Sequence, residues 1–243
     1  MVKALLLLAL VLVPHFALAQ DESGLAGVPA LTDQVANGVG RHAITLLAVM
    51  TALSLAPGIA IMVTCFPFIV TVLSILRQSI GLQQSPPNML IVSLSMFLTW
   101  FVMNPVLTEA WTTAGAPLRD GTITIEEAFN RGMVPFRGFM EARTDPEMIQ
   151  TLAAIAPDPQ AAPDRLSVLV PAFMLSEIQR AFEIGFLVSL PFLIIDLVVS
   201  AVLMSMGMMM VPPAVVALPF KLAFFVVVDG WGLIAAALVR SYQ

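Results

Sequence analysis

Apolar and polar positions in this chain come in long blocks rather than short alternations. No charged residue occurs from His42 to Leu76, and none from Gln78 to Thr108. Each run exceeds the roughly 20 residues a helix needs to cross a bilayer. Arg77 and the polar stretch 78–88, with Gly81, Pro86 and Pro87, separate them. Residues 42–108 therefore predict a hydrophobic helical hairpin with a polar tip. Pro57-Gly58 and Pro67 interrupt the first run, so one straight helix is not expected there. Residues 109–183 change character, holding six arginines and eleven of the sixteen acids. Asp120-Gly121 reads as a turn. Thr124, with Glu127 three residues on, reads as a capping box. Asp145-Pro146 reads as an N-cap followed by proline at the first helical position. Pro157, Pro159 and Pro163 mark a loop, and a further helix is expected from near Asp164 into 176–183. This block predicts a helical soluble segment. Apolar residues return over 184–206 and 213–239, giving a second hydrophobic hairpin within 184–243. No strand pattern and no internal repeat stands out. The fold class is an all-α membrane protein, two hydrophobic helical hairpins flanking a helical segment.

The first residues carry a different signal. Lys3 precedes the apolar run Ala4–Val13, and Ala17-Leu18-Ala19 supplies a small-x-small cleavage site before Gln20. Residues 1–19 read as a secretory signal peptide cut between Ala19 and Gln20. Residues 20–41, glycine-rich and without a strong period, form an N-terminal arm. A cleaved signal peptide places that arm and 109–183 outside the cytoplasmic membrane. The 77–88 tip and the second hairpin's turn then face the cytoplasm. The arginine distribution opposes this orientation, because the outer block holds six arginines and the inner loops only Arg77.

Composition narrows the function. The chain is 59% hydrophobic and 11% charged, against about 25% charged in soluble domains. A net charge of −5 lacks the basic footprint of a nucleic-acid binder. One cysteine, Cys65, permits no internal disulfide, and two histidines cannot supply a metal site of ordinary spacing. No phosphate-binding loop, zinc-protease motif or nucleophile elbow occurs. No catalytic residue, metal or cofactor is assigned, and the chain is read as a non-enzyme.

Two groups of residues carry the candidate chemistry. Met204, Met206, Met208, Met209 and Met210 crowd around Gly207 before Pro212 and Pro213. Glycine weakens the helix and the proline pair restarts it, so 207–211 predicts a short turn within the Met-rich stretch 204–210. Thioethers on flexible stems close on surfaces of differing shape. The second group is Asp196, Lys221 and Asp229, ionisable residues in apolar runs that need partners or water. A turn centred at 208–209 levels Asp196 with Lys221. A turn centred at 212–213 levels it with Asp229. The 207–211 loop favours the Asp196–Lys221 pair. These three charges also fit a small secondary transporter or ion channel, though many transporters show internal repeats. Asp196 and Asp229 alone do not make an aspartyl protease. Arg180, Glu177 and Glu183 share one helix face.

The run Pro171-Ala172-Phe173-Met174-Leu175-Ser176-Glu177-Ile178, then Ala181-Phe182-Glu183-Ile184-Gly185-Phe186, resembles the signature of the FliP family of flagellar biosynthetic proteins. Leu190–Val199, Met206–Pro213, Leu218–Leu222 and Val228–Trp231 look like the same family. Injectisome relatives share much of this pattern. The resemblance implies a subunit of the type III export apparatus in the flagellar basal body, in the bacterial inner membrane with a large periplasmic portion. It implies a homo-oligomer (a pentamer) assembled with FliQ, FliR and other export-apparatus proteins. Unfolded flagellar proteins would be the cargo. It implies that the methionines form a pore gasket and that the hairpins sit largely above the membrane plane. In that setting Glu177 with Arg143 or Arg180 are candidates for holding subunits together.

Overall fold

The computed structural model describes residues 46–47, 50–51, 54–55, 58–82, 86–157, 165–208 and 210–242. The expected signal peptide with its Ala19–Gln20 cleavage site, the expected arm 20–41, and Met209 lie outside these residues. The chain divides into a unit up to Ser54 and a second from Leu55 onward, and the second carries all that follows. Every element in it is helical, and among the described residues no strand occurs.

Helix α1 (Phe66–Ile80) is the element the others surround. The apolar run is interrupted at 63–65, as expected, and Pro67 sits at the start of the helix that follows, where the missing N–H has no helical partner to lose. Gly81, at φ 91°, ends the helix by donating its N–H to the Gln78 carbonyl at 3.0 Å. That left-handed conformation is one glycine adopts without strain. Phe68, Ile69, Val72, Leu73, Leu76 and Ile80 are all buried inside the chain. Fifteen residues span about 22 Å, short of the roughly 30 Å hydrocarbon core. Helix α1 is thus a core element.

Helix α2 (Asn88–Ala110) returns antiparallel beyond the polar tip. Arg77 fastens that tip, its Nη1 donating to the Pro86 carbonyl at 3.3 Å and to Asn88 Oδ1. A π-helical turn, Trp111–Gly115, joins α2 to the short α3 (Ala116–Arg119). Helix α4 (Ile125–Arg143) opens as its sequence predicts, with the Thr124 side chain accepting from the Glu127 N–H. Asp145 accepts from the Glu147 N–H to open α5 (Pro146–Ala154), with Pro146 at the first helical position. Each cap satisfies an N–H left unpaired by the helix start and is worth about 1 kcal/mol.

Helix α6 (Leu166–Ser205) is 40 residues long. It runs without a break through 183–184, where the sequence pattern divides polar segment from apolar hairpin. Helix α7 (Pro213–Val227) and α8 (Gly230–Arg240) follow, bent by 61° from one another. Two stretches, Asn88–Arg119 and Leu166–Ser205, are long and apolar enough to cross a membrane, and the bent pair makes a third if it counts as one span. The pattern alone suggests four such segments.

Helix α6 packs closely on α1 at Gly185. A Cβ there would lie 2.4 Å from Ile75 Cδ1 and 3.2 Å from Ile75 Cβ. In lipid, where apolar side chains gain little by leaving the solvent, such small-residue approaches carry much of helix association. Gly185→Val is expected to cost about 1–3 kcal/mol through overpacking. Exposed Gly138 has open space at its Cβ position, so Gly138→Ala should be neutral or stabilising. Thermal unfolding in detergent separates the two, and equal midpoints would contradict the close approach.

Candidate functional site

The methionine turn is closed by a C-terminal cap. Gly207, at φ 75°, donates its N–H to the Met204 carbonyl at 3.0 Å, and Met208 donates to the Leu203 carbonyl at 3.0 Å. This pair of bonds is a Schellman motif, and its left-handed residue is why glycine stands there. Pro212 and Pro213 then start α7. Met204, Met206, Met208 and Met210 are all exposed, with Met210 98% accessible. Behind the turn, the arms of α6 and α7 enclose an apolar groove of about 550 Å³, lined by Val198, Val202, Leu203, Met206, Met208 and Phe220 among others. Exposed apolar residues continue down both arms, including Leu197, Val198, Val215 and Phe220. A contiguous apolar surface of this kind calls for a cover of lipid or protein.

Lys221 and Asp196 meet, as the turn register predicts. Lys221 Nζ lies 2.6 Å from Asp196 Oδ2 and donates to the Ser79 carbonyl at 3.0 Å. One ammonium thereby ties α6, α7 and the last turn of α1. The lysine side chain is 8% exposed and the aspartate 37%. Asp196 Oδ1 is buried without a hydrogen-bond partner. Asp229 does not join this group. It is exposed, lies at the α7–α8 bend with φ 50°, and among the described residues makes no ion pair. The expectation of three buried charges is corrected to one pair, because the bend turns Asp229 to the surface.

Arg143, Glu177 and Arg180 converge within one chain. Glu177 is fully buried. Its Oε1 accepts from Arg143 Nε at 3.1 Å and Arg180 Nη1 at 3.4 Å, and its Oε2 from the Tyr242 hydroxyl. Arg143 Nη1 donates to the Ser241 carbonyl at 2.8 Å, and its guanidinium lies 4.1 Å from the Tyr242 ring centroid. Phe139 stacks on the same ring at 6.0 Å. Burial, and then the Glu177 carboxylate, push the Tyr242 hydroxyl well above its ordinary pKa, so it stays a neutral donor. Sequence reasoning missed Ser241 and Tyr242. The available signal was that Tyr242 is the chain's only tyrosine, placed just beyond the last apolar run. Glu183 accepts from Gln179 on the exposed side of α6.

Among the described residues no three His, Cys, Asp or Glu side chains converge as a metal site. The arrangement offers two ion-paired clasps, a thioether-rich tip and a wide apolar face.

Comparison with known proteins follows the same residues. The FliP family model matches residues 49–238. The flagellar biosynthetic protein FliP of Caulobacter vibrioides is 45% identical, over 100% of this chain and 90% of its own length. The protein of the same name from Agrobacterium fabrum is 46% identical, over 86% and 88%. That of Bacillus subtilis is 45% identical, over 82% and 91%. By the span of the family match and the coverage of these relatives, this chain belongs to the FliP family.

Proposed function

We propose that this chain is a core subunit of the flagellar type III protein export gate, and that its Met-rich turn is a gasket around the path of unfolded flagellar proteins. Family membership supports a part in flagellar biosynthesis and export. The observation that carries the gasket is the exposure of Met204, Met206, Met208 and Met210 at the tip of the 40-residue helix α6. Flexible thioethers repel ions and still deform around a polypeptide of any sequence. Met209 belongs to the same turn by sequence. Copies of the chain, a pentamer, place their turns side by side, with the apolar arms of α6 and α7 covered by neighbouring copies and by FliQ and FliR. The gate lies at the inner membrane in the basal body, with the signal peptide removed and residues 109–183 on the periplasmic side.

The test replaces the five methionines 204, 206, 208, 209 and 210 with alanine. Cells carrying this variant should leak small ions while still exporting flagellar protein. An assembly scaffold without a pore predicts tight membranes and lost assembly. A transporter running on Asp196 and Lys221 predicts no leak from the methionine changes, and Asp229's position at the bend separates it from that pair.

A further inference from the structure

We propose that the cleft between α2 and α8 seats an anionic phospholipid, with Arg240 holding its phosphate. The cleft has an apolar floor of about 460 Å³ formed by Leu98, Phe101, Ala235, Ala236 and Val239, with Arg240 at its wall. It shares Phe101 and Val239 with an adjoining depression reaching Trp100, Asn104 and Pro105. Arg240 is exposed at the end of α8, and among the described residues it has no hydrogen-bond or ion-pair partner. The stretches that line the cleft, 98–105 on α2 and Gly230–Arg240 on α8, contain no acid, and the one acid of α2, Glu109, lies beyond them. The nearby Glu177 carboxylate is already held by Arg143, Arg180 and Tyr242. Among the described residues no carboxylate pairs with Arg240, which leaves its guanidinium free to take an anion from outside.

The shape below Arg240 selects a lipid. Leu90, Leu94, Phe97 and Phe101 are exposed at the spacing of a single face of α2. From Leu90 to Phe101 that face runs about 16 Å, the scale of an acyl chain. Trp100, also exposed, stands near the level of Arg240, as tryptophan and arginine do at a membrane interface. A headgroup acceptor is present too. Pro105 has no N–H, so the Phe101 carbonyl loses its ordinary helical donor. A headgroup hydroxyl such as that of phosphatidylglycerol can donate to it while the phosphate takes the guanidinium. This inference does not depend on the gasket.

The full chain in mild detergent would be offered phosphatidylglycerol and phosphatidylcholine of matched acyl chains, and retained lipid read by native mass spectrometry. Wild type should hold phosphatidylglycerol about tenfold better, the value of one charge-assisted contact. Arg240→Gln should erase that preference and Arg240→Lys should keep part of it. Ala236→Trp, which fills the floor, should reduce retention of both lipids at unchanged helicity. Equal retention of the two lipids by wild type, a preference that survives Arg240→Gln, or a polypeptide found on this face in place of lipid would each overturn the site.

Discussion

Glu177→Ala is expected to destabilise the chain by about 3–5 kcal/mol, the cost of removing one member of a buried charge pair. Arg143, 15% exposed, would lose its only carboxylate partner among the described residues, and the buried Tyr242 hydroxyl would lose its acceptor. The consequence reaches the last residues of the chain. Tyr242 is held by Glu177, by the Arg143 guanidinium and by the rings of Phe139 and Phe68. With the carboxylate gone, Ser241 and Tyr242 should come loose and trypsin should cut after Arg240. Glu177→Gln keeps an acceptor for Tyr242 and loses only the charge, so a smaller loss is expected. Denaturant titration in detergent, with limited trypsin digestion, reads both effects. A Glu177→Ala variant with an unchanged midpoint and a protected C-terminus would contradict the clasp.

The second large effect is an asymmetry at the other ion pair. Asp196→Ala leaves the Lys221 ammonium, 8% exposed, with only the Ser79 carbonyl. Lys221→Met leaves a carboxylate that is 37% exposed and can reach water. The first change is expected to cost about 3 kcal/mol and the second distinctly less. The double variant, Asp196→Ala with Lys221→Met, buries no charge and should recover most of the loss. Comparing the three unfolding midpoints gives the coupling directly. If the double variant is as unstable as Asp196→Ala plus Lys221→Met summed, the pair is not coupled.

Short-range chemistry was legible in the sequence, and long-range packing was not. Thr124 and Asp145 act within their own turns, so the residues that open α4 and α5 could be named without the fold. The Asp196–Lys221 contact follows from counting back along two arms from a turn, and Gly207 with Pro212 marks that turn in the chain itself. Helix α1 is different. Its apolar residues look the same whether lipid or protein surrounds them, and only contact with α6, α2 and α7 makes them core. The absence of a break at 183–184 was hidden because the polar-to-apolar change marks what the helix faces along its length, not where it ends. Asp229 sits in an apolar run, yet the bend after Val227 brings it to the surface. The partnership of Tyr242 with Glu177 spans 65 residues, and no local pattern announces it. For the same reason, Arg143 and Arg180 could be named as partners for Glu177 without foreseeing that both reach it within one chain.

The methionine turn is proposed to line the path of exported protein. The direct measurement places a photoreactive amino acid at position 206 or 208 and irradiates cells in which a flagellar export substrate is stalled in transit. A gasket predicts a covalent adduct between this chain and the stalled substrate from both positions, and none from a probe at exposed position 155, just past the end of α5 in the 109–183 segment. Adducts only to other copies of the chain or to lipid, with the stalled substrate never labelled, would contradict it.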